Sequence, residues 1–259
     1  MSVITSRDNP HVRRWRELTR DARARRKQRR VMIEGENLIA AFLQSGKTVE
    51  NLILSKTGSG RSDFAELAKR SGKSPAVLAD AVFRSIVDAE APAGIAAEIL
   101  LPPAAEELNT ARSCIFLEAV QDAGNVGTLL RSAAAFGIPH AVLGPSCADA
   151  WSPKTLRAAA GAHFSMQVAD SADIAAAMDD FHGKIVCTVP RGGMAISIAD
   201  LSGRIGWIFG AEGRGVSDAL AARAALQVTI PMPGGAESLN VAAAAAICFY
   251  EFSRRGARA

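Results

Sequence analysis

Cysteine is scarce and scattered. Cys114, Cys147, Cys187 and Cys248 lie too far apart for a CxxC pair, and three of them sit inside apolar runs, so they read as reduced, small core residues rather than metal ligands or disulfide partners. His11, His140, His163 and His182 are equally dispersed, which leaves no clustered set for zinc, and no metal is expected. Aromatics make up only 5% of the chain while alanine is abundant, which favours close-packed helices on a sheet over an aromatic-rich sandwich. The longest apolar run, Val241 to Tyr250, is half alanine and far short of the roughly 20 residues that span a bilayer. The opening MSVITSRDNP lacks the apolar stretch of a secretory signal, so a cytoplasmic location is expected. No GxGxxG follows a strand, and GxxxxGK[ST] and GxSxG do not occur, which removes the usual support for dinucleotide, nucleoside triphosphate and hydrolase chemistry.

What the chain does have is a core and a strongly uneven charge. Its 259 residues are 49% hydrophobic, enough for one large domain or two unequal ones. The net charge of +4 conceals a basic start: residues 1 to 30 hold eleven Lys/Arg against three Asp/Glu, so this stretch carries +8 and the remainder −4. Ten of the eleven are arginine, whose planar fork pairs with phosphate better than a lysine does. A polyanion is therefore the natural partner, with RNA contacts expected from Arg13, Arg14, Arg23, Arg26 and Arg30. A solvated basic face and an anionic membrane are the other readings of such a stretch.

The hydrophobic pattern divides the chain in two. Val31 to Phe42 reads as a short strand and a helix, VENLIL as a strand, Asp63 to Ser71 as a helix ended by Gly72, then Val77 to Leu78, a helix over Asp80 to Val87, and the apolar Gly94 to Leu101. Pro102, Pro103 and the acidic run after them look like a linker, giving expected domains at 1–103 and 111–259. From Cys114 short apolar strands alternate with small-residue helices. Strands are expected at 114–119, 141–144, 164–169, 184–189, 206–210 and 227–230, and helices at 126–136, 153–160, 172–181, 217–224 and 239–254. That alternation predicts an α/β fold, a parallel sheet with helices on both faces, with ligands at the carboxyl ends of the strands.

Three strand ends concentrate glycine and polar residues. In LEAVQDAGNVGTLLR, Asp122 or Asn125 can cap the following helix, and Arg131 lies six residues beyond Asn125. WIFGAEGRGVS runs a buried strand into a loop with glycines around Glu212, a design that brings backbone amides close to a ligand and that any tight turn can also use. In IPMPGGAESLNVAAAAA, Ser238 is an available helix cap, and the five alanines let another backbone pack closely.

Taken together and in this order, the three segments resemble the signature motifs of the SpoU (TrmH-type) RNA 2′-O-ribose methyltransferases of the SPOUT class, matched over almost all of residues 113 to 255. ITSRDNPHVR, the basic helix and VMIEGENLI resemble, less specifically, the RNA substrate-binding domain of relatives that act on ribosomal RNA. The resemblance implies a deep trefoil knot, a homodimer paired through the knot region, and S-adenosyl-L-methionine as cofactor. It places Thr188, Gly210, Ile230, Met232 and Leu239 at the cofactor, makes Arg131 the catalytic residue with Asn125 and Glu212 as its organising neighbours, and puts Ser238 and Asn240 at the reacting centre. An arginine is a poor base at neutral pH, so stabilising the developing alkoxide, or passing the proton through an RNA phosphate, suits it better. The implied activity is methyl transfer to a ribose 2′-hydroxyl, on rRNA in preference to tRNA. A SPOUT base methyltransferase, disfavoured by Ser238 and Asn240, and a non-catalytic RNA-binding or assembly protein are the alternatives.

Overall fold

The computed structural model describes residues 3–102 and 112–256; apart from Pro102, the expected linker lies outside them. The described residues form two compact units.

The first unit is built on a four-stranded sheet of β1 (Arg30–Glu34), β2 (Asn51–Ser55), β3 (Ala76–Leu78) and β4 (Ile95–Leu100) in the order β1-β4-β2-β3. β4 runs antiparallel to both its neighbours, and β2 pairs with β3 in parallel. Side chains alternate across the sheet as the strand period requires. Val31, Ile33, Leu52, Leu54 and Ile99 face one way, onto Leu38, Ile39 and Phe42 of helix Glu36–Gln44 and onto Phe64 and Leu67 of helix Ser62–Ser71. Met32, Ile53, Leu78 and Ala96 face the other way, onto Val12, Trp15 and Leu18 of helix Pro10–Arg20. That opening helix is dictated locally. Asn9 accepts the amide of His11 at 2.9 Å, Pro10 takes a first-turn position, and the buried residues recur at helical spacing. Asp21 then caps a second short helix, Ala22–Gln28, which Arg29 ends in the left-handed conformation.

Trp151–Phe164 also belongs to this first unit, whereas the expected division placed it with the later residues. Leu156 of helix Pro153–Ala159 enters the core beside Val31 and Ile33, and the Phe164 ring meets that of Phe42 edge-on at 5.0 Å. Arg157 reaches Glu34 at 3.3 Å and Asp88 at 2.6 Å.

The second unit holds a seven-stranded parallel sheet: β5 (Cys114–Leu117), β6 (His140–Leu143), β7 (Gln167–Asp170), β8 (Lys184–Thr188), β9 (Met194–Ala195), β10 (Ile205–Phe209) and β11 (Leu226–Thr229) in the order β7-β6-β5-β10-β8-β11-β9. Phe116, Cys187 and Ile208 pack under helix Ile174–Asp179 and Leu220. On the alternate residues of β10, Trp207 and Phe209 meet Phe249 of the last helix, Val241–Gly256, which packs along helix Ala123–Ala135. Strands therefore carry helices on both faces, as the sequence pattern predicts.

Several boundaries differ from the expected ones. The strand expected from Phe164 begins at Gln167, because residues 162–164 form a 3-10 turn. The helix expected over Asp80 to Val87 ends at Phe83, and that over 217–224 covers only Asp218–Ala221. Neither segment is long enough to hold a helix without packing around it.

Candidate functional site

β5, β10 and β11 are followed by the three loops singled out in the sequence. The chain leaves β5 through Ala119, whose φ of 53° reverses its direction, and Asp122 accepts the amide of Asn125 at 2.9 Å to start helix Ala123–Ala135. After β10 the chain turns back on itself: Gly215 donates its amide to the carbonyl of Ala211 at 2.8 Å. A Cβ on Gly210 would lie 2.0 Å from the carbonyl oxygen of Gly215, so only glycine fits there.

Two carboxylates lock these loops together reciprocally. Glu118, from the end of β5, accepts the amide of Ser217 at 2.7 Å. Glu212, from the loop after β10, accepts Asn125 Nδ2 at 2.8 Å and the amide of Gln121 at 3.3 Å. Burial is the largest influence on the Glu212 carboxyl and opposes ionisation, but the donated hydrogen bonds outweigh it and hold its pKa below the usual range.

The third loop joins through Asn240. Its Oδ1 accepts the amides of Ala242 at 2.9 Å and Ala243 at 3.2 Å, and its Nδ2 donates to Asn125 Oδ1 at 2.9 Å. Asn240, not Ser238, is thus the cap of the last helix, which starts at Val241 rather than at Leu239. Ser238 is exposed and left free to face a ligand.

Against these loops lies a cavity of about 440 Å³. Thr188, Gly210, Ile230, Met232 and Leu239, the five residues expected at the cofactor, all line it, as do Glu212, Ser238 and Asn240. Asn125 is tied to its rim through Glu212 and Asn240. Phe209, Val228 and Val241 add apolar wall, so the cavity offers a greasy slot edged by backbone polar groups, which suits a nucleoside. Arg131 stands apart. It is exposed, is absent from the cavity lining, and makes no hydrogen bond or ion pair with any described residue.

Sequence reasoning missed Glu118 and Arg214. Both lie inside singled-out segments but were given no role there: Glu118 is the second residue of the first segment, and Arg214 lines the cavity within the GRG turn. Burial pushes the Cys187 thiol up to about 11 and the Cys248 thiol up to about 12.

The basic stretch is not uniform. Arg13, Arg23 and Arg26 are exposed. Arg14 and Arg30, both expected on RNA, pair with Glu98 at 2.8 and 3.0 Å. Glu98 is fully buried on β4 and also accepts Trp15 Nε1 at 2.8 Å and Asn51 Nδ2 at 2.7 Å. A buried carboxylate must be neutralised, and these two arginines are the nearest means.

Residues 112–250 match the family model of the SpoU rRNA methylases, and residues 9–97 match that of the MRM3-like substrate binding domain. The chain is 35% identical over 253 residues to the 23S rRNA (guanosine(2553)-2′-O)-methyltransferase RlmP of Bacillus subtilis, covering 96% of this chain and 98% of that one. Among solved structures, an RNA 2′-O ribose methyltransferase superimposes with a TM-score of 0.83 at 27% identity, over 99% of this chain and 100% of the other. An rRNA methyltransferase from Sinorhizobium meliloti with AdoMet bound does so with a TM-score of 0.82 at 26% identity, over 98% of each chain.

Proposed function

The chain belongs to the SpoU rRNA methylase family, and on that premise we propose how its own residues perform S-adenosylmethionine-dependent methyl transfer to a ribose 2′-hydroxyl of ribosomal RNA. The observation that carries this reading is the meeting of three strand-end loops at one cavity, with Glu212, Asn125 and Asn240 in a single hydrogen-bonded chain at its edge.

When bound, S-adenosylmethionine supplies an electrophilic methyl group on its sulfonium. Ile230, Leu239 and the backbone around Gly210 would hold its adenosyl part, with Met232 and Thr188 closing the slot. The 2′-oxygen must approach in line with the breaking carbon–sulfur bond and lose its proton, so alignment and charge stabilisation are the main tasks of the protein. Ser238 and Asn240 provide polar atoms where the ribose would enter. Arg131 holds either the developing alkoxide or the adjacent phosphate with its planar fork.

Arg131 supports a homodimer within this reading. Its guanidinium has no partner among the described residues and no place on its own cavity wall, whereas a second copy could present it to the ribose. Ile247 and Tyr250, exposed on the last helix, supply apolar surface for such pairing. The trefoil knot implied by the class belongs to the same reading, since it would draw residues 207–217 and 230–241 to one end of the sheet. No helix among the described residues is long and apolar enough to cross a membrane, and the reading places the enzyme with ribosomal RNA in the cytoplasm.

Incubation with labelled S-adenosylmethionine and rRNA, followed by mapping of ribose methylation, tests the activity. Light scattering of the purified protein tests the dimer. A label found on a base, or no transfer to rRNA or tRNA, would remove the 2′-O assignment.

A further inference from the structure

The basic residues of the first two helices separate into two sets by what their side chains touch. Arg14 and Arg30 are bound to Glu98, and Arg25 is buried with Nη1 donating to the carbonyls of Leu18 and Thr19 at 2.7 and 3.1 Å. These three arginines hold the fold together.

Arg13, Arg16 and Arg20 make no hydrogen bond or ion pair with any described residue, yet together, and beside Arg14, they line a groove of about 560 Å³. Their spacing of three and then four residues puts them on one stripe of helix Pro10–Arg20, about 10 Å long at the usual rise of about 1.5 Å per residue. Glu17, the acid in this groove, is engaged by Gln28 Nε2 at 3.0 Å. The inner side of the same helix is pinned to β4 by Trp15 and Arg14, both donating to Glu98 at 2.8 Å. Three like charges held on one stripe repel one another and weaken the helix, so stability does not account for them. An anion with several regularly spaced charges does.

We propose that the groove of Arg13, Arg16 and Arg20 is the phosphate-backbone site for the substrate RNA, each fork taking a phosphate, and that the other arginines of the stretch serve the fold or add general charge. The inference rests on the RNA methyltransferase reading and narrows it. Such contacts set affinity and register and carry no base sequence, so the choice of nucleotide lies elsewhere.

The test compares Arg13→Gln/Arg16→Gln/Arg20→Gln with a control of equal charge loss, Lys69→Gln/Arg70→Gln/Lys73→Gln, whose residues are exposed in or just after helix Ser62–Ser71 on the opposite face of the sheet. Binding to an rRNA transcript that the wild type methylates is measured between about 50 and 200 mM salt. The groove variant should bind at least about 10-fold more weakly, and the slope of log affinity against log salt should flatten by about 2 to 3, roughly one per lost phosphate contact. The control should keep the wild-type slope, and both should bind S-adenosylmethionine as the wild type does. Should the triple variant fail to fold, the three single substitutions are read instead, each expected to flatten the slope by about one. Equal loss in groove variant and control, or an unchanged slope in the groove variant while the wild type still methylates RNA, would overturn the groove and leave the methyltransferase reading standing. A wild type that methylates no RNA would overturn the reading itself. Binding through these arginines to phosphatidylglycerol vesicles, with no RNA binding, would overturn the inference in favour of a membrane surface.

Discussion

Asn240 and Asn125, 115 residues apart, share a hydrogen bond of 2.9 Å whose direction is set by the last helix. The Oδ1 of Asn240 is taken by the amides of Ala242 and Ala243, so its Nδ2 must be the end that faces Asn125. Asn125 must then show Oδ1 to Asn240, which leaves its Nδ2 for the carboxylate of Glu212. Polarity therefore runs one way from a helix N-terminus to a carboxylate.

That direction makes a reversal testable. Asn125→Asp places a second carboxylate against Glu212 and should lower methyl transfer by about 100-fold, the equivalent of losing one charge-assisted hydrogen bond and adding repulsion. Adding Glu212→Gln restores one donor and one net charge to the pair and should recover most of the rate. Single-turnover kinetics on one RNA would decide it; no recovery in the double variant would mean that the chain of amides does not govern the site.

Arg131→Lys should separate stability from chemistry. Because Arg131 is exposed without an internal partner, the substitution should change folding stability by less than about 0.5 kcal/mol. Loss of the planar fork should still collapse methyl transfer, with little change in cofactor affinity. Thermal unfolding, calorimetry and rate measurements on the same preparation check all three.

Gly210→Ala should act on the cofactor. The added methyl group would meet the carbonyl of Gly215, forcing the 211–215 turn outward and opening the cavity wall. At least a 10-fold loss of S-adenosylmethionine affinity is expected, about 1.4 kcal/mol, read by titration calorimetry.

The three loops were legible in the sequence because glycine and polar residues gather where apolar strands stop, in segments short enough to read locally, whereas the individual residues expected at the cofactor came from the family resemblance. The five residues expected at the cofactor are brought to one cavity because each lies at the carboxyl end of a parallel strand or in the loop or helix start beyond it. What escaped reading depends on distant partners. Glu98 stands inside the apolar run Gly94 to Leu101, and nothing local says that Trp15, 83 residues earlier, waits for it. The same contact removes Arg14 and Arg30 from the set of free arginines. Asn240 outcompetes Ser238 as cap because its other end has Asn125 to hold. β9 is two residues long and carries no periodicity to detect.

Glu98→Ala should be severe. It would leave Arg14, Trp15 and Asn51 with donors aimed at an empty space and Arg30 with Glu50 as its remaining partner, a change that costs about 3–5 kcal/mol where a buried charge pair loses one partner. Chemical denaturation followed by tryptophan fluorescence should show the loss in the transition that reports Trp15. Deleting residues 1 to 30 is the wrong way to probe the basic stretch for a related reason: it removes Val12, Trp15 and Leu18 from a core.

Glu34 gives a pH signature. Burial pushes its carboxyl above the usual range, more strongly than the amides of Asp88 and Ala89 and the Arg157 charge pull it down. The folded protein therefore holds this proton more tightly than the unfolded chain does. Stability from this group is full below about pH 4.5, where both states are protonated, and declines as pH rises through the raised value. Glu34→Gln should flatten that decline, and the difference between the two stability curves across pH isolates it. Parallel curves would mean that Glu34 ionises as freely folded as unfolded.

The placing of Leu156 in the core of the first unit has a consequence for synthesis. A ribosome that has made the first hundred residues has delivered all four strands of the sheet, but not the leucine that packs on Val31 and Ile33, nor the Phe164 ring that meets Phe42. The unit that emerges first thus cannot complete its interior until residue 164 has left the exit tunnel, by which time β5 and β6 are already outside. For that interval its apolar face lacks the leucine and the ring that cover it in the finished fold.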